Sequence, residues 1–521
     1  MNSVGISGIA AYLPPYRTNL NDWCDWTDGS WDKLKDVVGH SFRMRGHHQN
    51  VYILAANAVL KLIQQYNIDP RSVGYFAFGT ESSTDNSAGA VIVKGIVDQG
   101  LRELDLPPLC RNCEVPEFKH ACLGGVYAMK GAARFLACDG QDSKAIVVSA
   151  DIAEYERGST GEPTQGAGAV AIWLEPNPKL LEINLVQAGN AADYRGPDFR
   201  KPFVRFAQQN AGSNAQLRDF PVFNGFYSTN CYIDAMLIAL NNMFTKRGLD
   251  RAGYLKKMAA VFMHRPYTRM PETGLAMTYL FSLALGKAED HAELKTYCEA
   301  ARVKFHDVVE ELSSKRNLYE CVEKGKLNTP MFSRSLRVSR VLKRFDAFKK
   351  IEEKMSLGWE IMKNVGNLYS ASLPAWIAAG LEDAFRQGVE LRGEDILTLG
   401  YGSGDAAEAI PMRVVNGWQE YAEKIKFSEC FDGAIDLNES QYVSLHSGRH
   451  PVDLPIPTEG EFFISRVGTN DNKSFEDGGI EYYGFNPDVA PKKQAGSPEF
   501  NEYSSSGSEQ ASNSERSPGC N

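Results

Sequence analysis

Four segments of the chain hold side chains whose types and spacing suit covalent acyl chemistry. Cys122 stands in Glu117-Phe118-Lys119-His120-Ala121-Cys122-Leu123-Gly124-Gly125, between an apolar approach and a small-residue turn that opens a helical pattern from Val126 to Cys138. A helix N-terminus beneath a thiol favours the thiolate and offers N–H donors. Gly124 and Gly125 leave room for a large ligand to reach the sulfur. The pattern fits a nucleophile for acyl transfer. Glu81, in Gly79-Thr80-Glu81-Ser82-Ser83-Thr84-Asp85, follows an apolar strand. Strand ends are where α/β folds gather ligands, and a desolvated carboxyl there serves as general acid or base. Asp85 reads as a helix cap.

His264 ends a further apolar run, Ala259 to Met263, and Pro266 stops its continuation. Arg265 and Arg269 follow closely; they are expected to keep the imidazole neutral and to anchor phosphates. The last segment is split. Asn367, in Val365-Gly366-Asn367-Leu368-Tyr369-Ser370-Ala371-Ser372, is placed to orient an imidazole or bind a water. Gly402-Ser403-Gly404 follows a strand and offers a second oxyanion donor through its backbone.

These residues need strand ends and helix starts to hold them, and the hydrophobic pattern supplies both. Buried-strand patterns are predicted at 4–13, 72–79, 144–150, 166–174, 258–263 and 395–401, and helices at 51–66, 87–99, 126–138, 231–244, 274–285 and 368–384. Such alternation predicts an α/β fold with helix-covered sheets. Residues 287–355 are charged and strand-poor and read as a helical insertion. The Ser/Gly-rich stretch 486–521 reads as a disordered tail.

The chain has 521 residues, 43% hydrophobic and 23% charged, with a net charge of −9. That is an ordinary globular composition, and its acidity argues against nucleic acid or anionic membrane as the main partner. No apolar run approaches the roughly 18 residues of a membrane span, and the N-terminus lacks a signal-peptide pattern, so the expectation is cytoplasmic. The ten cysteines are irregularly spaced. Cys110-x-x-Cys113 has no second pair, and Ser447 and Gly448 interrupt any helix joining His446 to His450, so no metal site is expected.

Taken in order, the segments resemble the hydroxymethylglutaryl-CoA synthase family of the thiolase superfamily. The motifs are Gly79-Thr80-Glu81-Ser82 with Asp85, Ala121-Cys122-x-Gly124, Ala150-Asp151-Ile152-Ala153-x-Tyr155, Glu162 to Ala171, Phe220 to Gly225, Cys231-Tyr232-Ile233, His264-x-Pro266-Tyr267-x-x-Met270, Gly366-Asn367-Leu368-Tyr369 and Tyr401-Gly402-Ser403-Gly404. The resemblance covers residues 4 to 450. It implies a five-layered α/β/α/β/α fold of two similar halves: 1–175 with the nucleophile and general base, and 176–485 with the insertion. It implies condensation of acetyl-CoA with acetoacetyl-CoA through an acetyl-cysteine, as in mevalonate biosynthesis. Cys122 is then nucleophile, Glu81 base and His264 carbonyl-polarising group. Asn367, Gly402 and Ser403 support the site, and Arg265, Tyr267 and Arg269 contact substrate or CoA. No resident cofactor or metal is implied; a homodimer is.

Leu123, Asn224 and Arg269 stand where the family usually has an aromatic, an aspartate and a lysine. Gly479 to Tyr483 is acidic where a basic ending is usual. These departures leave open a β-ketoacyl acceptor on an acyl carrier protein. The basic row Arg334, Arg337, Arg340, Lys343, Arg344 would suit such a partner or a nucleotide phosphate. A decarboxylating ketoacyl synthase would not need Glu81, and a catalytically silent subunit of the same fold would not need all three residues.

Overall fold

The computed structural model describes residues 3–85, 88–198, 220–221, 224–314, 317–326, 331–449, 451, 453–457, 459–472 and 474–487. In the first half, strands β1 (Val4–Tyr12), β2 (Val73–Gly79), β3 (Glu117–Phe118), β4 (Lys144–Ala153) and β5 (Gly166–Pro176) alternate with helices α1 (Val51–Tyr66), α2 (Gly89–Glu103) and α3 (Gly124–Ala137). The second half adds β6 (Leu181–Ile183), β7 (Gly189–Ala192), α4 (Phe226–Arg247), β8 (Ala260–Met263), α5 (Arg269–Ala284), α6 (Ser372–Gln387), β9 (Asp395–Gly402) and β10 (Ala406–Val414).

Local signals explain the helix ends. Asn50 accepts a bond from Ile53 N at 2.9 Å to start α1, and Gly248 and Gly388 take left-handed conformations just past α4 and α6. Asp85 caps α2 as the sequence suggests, accepting from Ala88 N at 2.5 Å and Gly89 N at 3.0 Å.

The halves repeat one plan. In the first, β2 runs parallel to β4 and β4 antiparallel to β5. In the second, β8 runs parallel to β9 and β9 antiparallel to β10. Strand β6 joins them, pairing with β1 on one side and β10 on the other, so that one mixed sheet of ten strands runs through the protein. Alternation sorts the side chains: Phe76, Phe78, Ile146 and Val148 face α1 and α2 in one core, while Ala77, Ala145 and Val147 face α3 in the other. Helix α6 packs on β8 and β9 beside α3, and α4 covers the far side of β10 with α5 against it. The result is the expected α/β/α/β/α layering.

Within 287–355 the described residues form short helices, among them Ala288–Ala300, Phe305–Ser313, Ser333–Leu342 and Asp346–Glu352, packed on or near α5. A late hairpin, Glu461–Val467 with Glu481–Asn486, lies against α1 and α2. The tail expected at 486–521 falls outside the described residues from 488 onward. Among the described residues no helix is long and apolar enough to cross a membrane.

Candidate active site

The repeated plan sets turns from the two halves against each other. Cys122 lies just before α3, and Ser370 occupies the matching place before α6. Both turns are strained in the same way, with Ala121 and Tyr369 each at φ 44°. Glu81 follows β2 and His264 follows β8, again in matching places.

The glycines of the Cys122 turn admit protein rather than ligand. A Cβ on Gly125 would sit 2.1 Å from Ser149 Oγ and 2.8 Å from Ser370 O, and one on Gly124 2.8 Å from Phe118 O. The expectation that they open the sulfur to a large ligand is corrected accordingly. Gly402 has a similar use: a Cβ there would lie 2.6 Å from His120 O, so β9 packs directly on the nucleophile turn.

A cavity of about 230 Å³ gathers Cys122, His264, Asn367, Tyr267 and Ser403, with Tyr155, Tyr369, Tyr401 and Asp198 in its walls. The Cys122 thiol is buried and donates to Glu81 Oε2 at 3.3 Å. Burial first, then the Glu81 carboxylate, pushes this thiol well above its ordinary pKa, and Asp151 and Asp198 add to the effect. The helix start was expected to favour the thiolate. Loss of solvent and three carboxylates outweigh it, so the resting group is the thiol.

His264 is 3% exposed, and burial lowers its pKa to about 3, which keeps the imidazole neutral. Its backbone N–H donates to Leu399 O at 2.8 Å, tying the turn to β9, while Nδ1 has no partner among the described residues. Asn367 is buried, and its side-chain oxygen accepts from Tyr369 N at 2.9 Å.

Arg265 does not join this group. It is fully buried, donates from Nη1 to Met362 O and from Nη2 to Thr268 Oγ1, both at 2.6 Å, and lies over the Trp359 ring. Consecutive residues leaving a strand point to opposite sides, so His264 faces the cavity and Arg265 braces the fold. Arg269 is exposed and lines a second cavity of about 610 Å³ with Tyr267, Arg340 and Lys343. Val37, Tyr267 and Met270 border both cavities.

Asp151 received no site role from its own residue pattern, yet it organises the site. Its Oδ1 accepts from Glu81 N and Ser82 N at 2.8 Å, Ser82 Oγ at 2.7 Å and Thr80 Oγ1 at 3.0 Å. Its Oδ2 accepts from Ser370 N at 2.9 Å and Ser370 Oγ at 2.5 Å. One buried carboxylate thus ties the general-base turn to the opposite half. The available signal was a lone carboxylate amid the apolar run of β4. Asp198, Cys231 and Asp405 bring three ligand-type atoms within 4.8 Å of one another. Arg195 Nη1 stands 3.2 Å from Asp405 Oδ2 and already supplies positive charge there.

Comparison with known proteins agrees with this geometry. Residues 1–179 match the family profile "Hydroxymethylglutaryl-coenzyme A synthase N terminal", and residues 215–446 match its C-terminal counterpart. The hydroxymethylglutaryl-CoA synthase of Enterococcus faecalis is 25% identical over 472 residues, covering 90% of this chain and 98% of that protein. A hydroxymethylglutaryl coenzyme A synthase of a Fusarium species is 28% identical over 433 residues, covering 81% and 85%. Among solved structures, MvaS in complex with 3-hydroxy-3-methylglutaryl coenzyme A superposes with TM-score 0.71 at 23% identity, covering 93% of this chain and all of that one. The HMG synthase of the curacin biosynthetic pathway, in complex with a holo donor acyl carrier protein, gives 0.65 at 16%, with the same coverage. These likenesses share the thiolase-type fold. The chain belongs to the hydroxymethylglutaryl-CoA synthase family, an acyltransferase family of condensing enzymes.

Proposed function

We propose that this enzyme condenses acetyl-CoA with acetoacetyl-CoA to give 3-hydroxy-3-methylglutaryl-CoA and CoA, the carbon–carbon bond-forming step of a mevalonate-type route. The observation that carries the reading is that Cys122, which lines one cavity with a neutral His264, also contacts Glu81 at 3.3 Å. The Cys122 thiol loses its proton and attacks the acetyl thioester, and CoA leaves with a proton. Glu81 then removes a methyl proton from the acetyl group. The resulting carbon attacks the acceptor ketone, whose oxygen His264 polarises, and water releases the product from Cys122. Tyr155 and Tyr369, packed on the thiol, keep bulk water away during carbanion formation.

The roles divide by half: residues 1–175 supply nucleophile and base, and 176–485 the carbonyl-polarising group and the substrate channel. Tyr267 links the reaction cavity to the larger one, whose Arg269, Arg340 and Lys343 suit the phosphates of a CoA thioester. CoA thioesters are substrates in this scheme, with no resident cofactor or metal. The resemblance supports a cytoplasmic homodimer, which light scattering and localisation would test.

A carrier-protein acceptor has one observation in its favour. Arg337 and Arg344 are exposed on the basic row and lie outside the lining of the larger cavity. Reversing both charges would weaken capture of a carrier-bound acceptor and leave CoA-thioester turnover unchanged. The first experiment follows the loss of acetoacetyl-CoA enolate absorbance with acetyl-CoA present. Loss that vanishes in Cys122→Ala supports the proposal. Acetylation of Cys122 without loss moves the acceptor to a carrier protein. Neither event would mark a silent subunit.

A further inference from the structure

A separate cavity of about 310 Å³ lies between the end of β1, helix α1 and the segments 429–432 and 459–461, and it shares no lining residue with the cavity around Cys122. Arg43, in the short strand Ser41–Met44, lines it and is 1% exposed. Its Nη1 donates to Pro14 O at 3.0 Å and to Pro15 O at 3.2 Å, and its Nη2 to Cys430 O at 3.2 Å. Nε has no acceptor among the described residues. Nor does any described carboxylate lie within ion-pair distance of this guanidinium; Asp436, which acts on it from further away, is held by Arg17 at 2.5 and 2.8 Å. Neutral carbonyls orient a buried cation without cancelling its charge.

Two more donors come from α1. Asn57 and Lys61 stand one helical turn apart and share a face of the helix. Asn57 is 5% exposed, and its Oδ1 accepts from Phe462 N at 2.9 Å. That bond fixes the amide and leaves Nδ2 a buried donor with no acceptor among the described residues. Lys61 is half-buried, with Nζ 3.5 Å from Cys430 Sγ and no ion pair among the described residues. The carboxylates of the lining lie further out. Asp432 and Glu459 are exposed and make no ion pair among the described residues, whereas Glu429, also exposed, is paired with Lys426 at 3.0 Å. Glu461 is half-buried and accepts from the Tyr12 hydroxyl at 2.6 Å. The cavity is therefore sorted by charge, with donors buried within and carboxylates at its mouth.

We propose that this cavity is a second ligand site, which binds a small amino-acid-like zwitterion with its carboxylate on Arg43, Asn57 and Lys61 and its ammonium toward Asp432, Glu459 and Glu461. Water could accept from the same donors but would leave the guanidinium charge uncompensated. A carboxylate does both, through charge-assisted bonds. A polyanion such as a phosphate ester would meet like charge at the mouth, and a simple cation would meet it within. Only a molecule with one charge of each sign matches both ends. The inference stands apart from the condensation reading, since the two cavities have no residue in common.

The state of Arg43 agrees with this. Burial first, then Arg17, lowers its guanidinium to about 10. The group stays charged at neutral pH, but in surroundings that disfavour the charge, and a bound carboxylate would offset that.

Isothermal titration of the full chain with glycine, 4-aminobutyrate and 6-aminohexanoate tests the site, with butyrate and n-butylamine as compounds that each lack one charge. At least one of the amino acids should bind saturably, about tenfold tighter than n-butylamine and about threefold tighter than butyrate. Lys61→Met should weaken that binding about tenfold, and Asp432→Asn with Glu459→Gln about threefold, with thermal unfolding close to wild type in both. Arg43→Met should abolish it; should that variant misfold, the other two still locate the site. No saturable heat from any of the three amino acids, the outcome for a cavity that holds only water, would overturn the proposal. So would butyrate binding as tightly as the best amino acid, or binding unchanged in Lys61→Met. Cys122→Ala should bind as the wild type does; weaker binding there would place the ligand in the reaction cavity and overturn the proposal too. Failure of the condensation reading shows separately, as wild-type protein with no Cys122-dependent enolate loss.

Discussion

At 3.3 Å from Glu81 Oε2, the Cys122 thiol has an acceptor for its proton and, in the same carboxylate, a reason to keep it. Glu81→Gln therefore has two opposite effects. Removing the negative charge lets the thiol titrate at lower pH, so thiolate absorbance at neutral pH and the rate of alkylation by iodoacetamide both rise. Removing the base lowers condensation by about 10²- to 10⁴-fold. A thiol that titrates higher in the variant would contradict the field described here. Glutamate and histidine were legible because each follows an apolar strand, and the cysteine because it precedes a small-residue turn that opens a helix. The charge state of the thiol was not, because it depends on Asp151 and Asp198, which are remote in sequence. Arg265 was misread because spacing alone does not say which of two adjacent residues turns inward.

Among the elements, the turn after β2 and the start of α6 are held together by Asp151. Asp151→Asn keeps the shape but replaces one of the two acceptor oxygens with an NH2 donor, setting N–H against the N–H and O–H donors on that side. The expected cost is about 2–4 kcal/mol of stability, read from the denaturant midpoint, with condensation reduced because Glu81 loses its anchor. Retention of both would mean that strand pairing alone positions the turn. The strands, the helices and the helical insertion were largely legible from periodicity, since their apolar faces are long. Helix starts were less so. α4 and α5 begin five residues before the 231 and 274 boundaries read from the pattern, because their mixed first turns, Phe226-Tyr227-Ser228-Thr229 and Arg269-Met270-Pro271-Glu272, carry no regular apolar stripe. Arg195, Asp234 and Asp405 stand in no motif that marks them in the sequence; the approach of β7, β10 and α4 buries them together.

Across the molecule, Lys130 of α3 meets Glu408 of β10 at 2.7 Å, with side chains only 8% and 2% exposed. This pair spans the two halves. Lys130→Met alone strands a buried carboxylate and should cost about 3–5 kcal/mol, whereas adding Glu408→Leu should recover most of it; chemical denaturation of the double-mutant cycle is the measurement. Equal losses in single and double variants would show that the pair is net stabilising rather than merely matched. The joining strand β6 has a different consequence, felt during synthesis. The first half leaves the ribosome with one flank of β1 bare, and residues 181–183 then cover part of it within a few further residues of chain. Their own outer flank waits for residues 412–414, more than two hundred residues later. For that interval the nascent protein exposes a strand edge able to pair with a neighbouring chain. That edge is short, three residues, and it bears a charged Glu182. Brevity and charge are what would keep polysome neighbours from zipping together before the second half arrives.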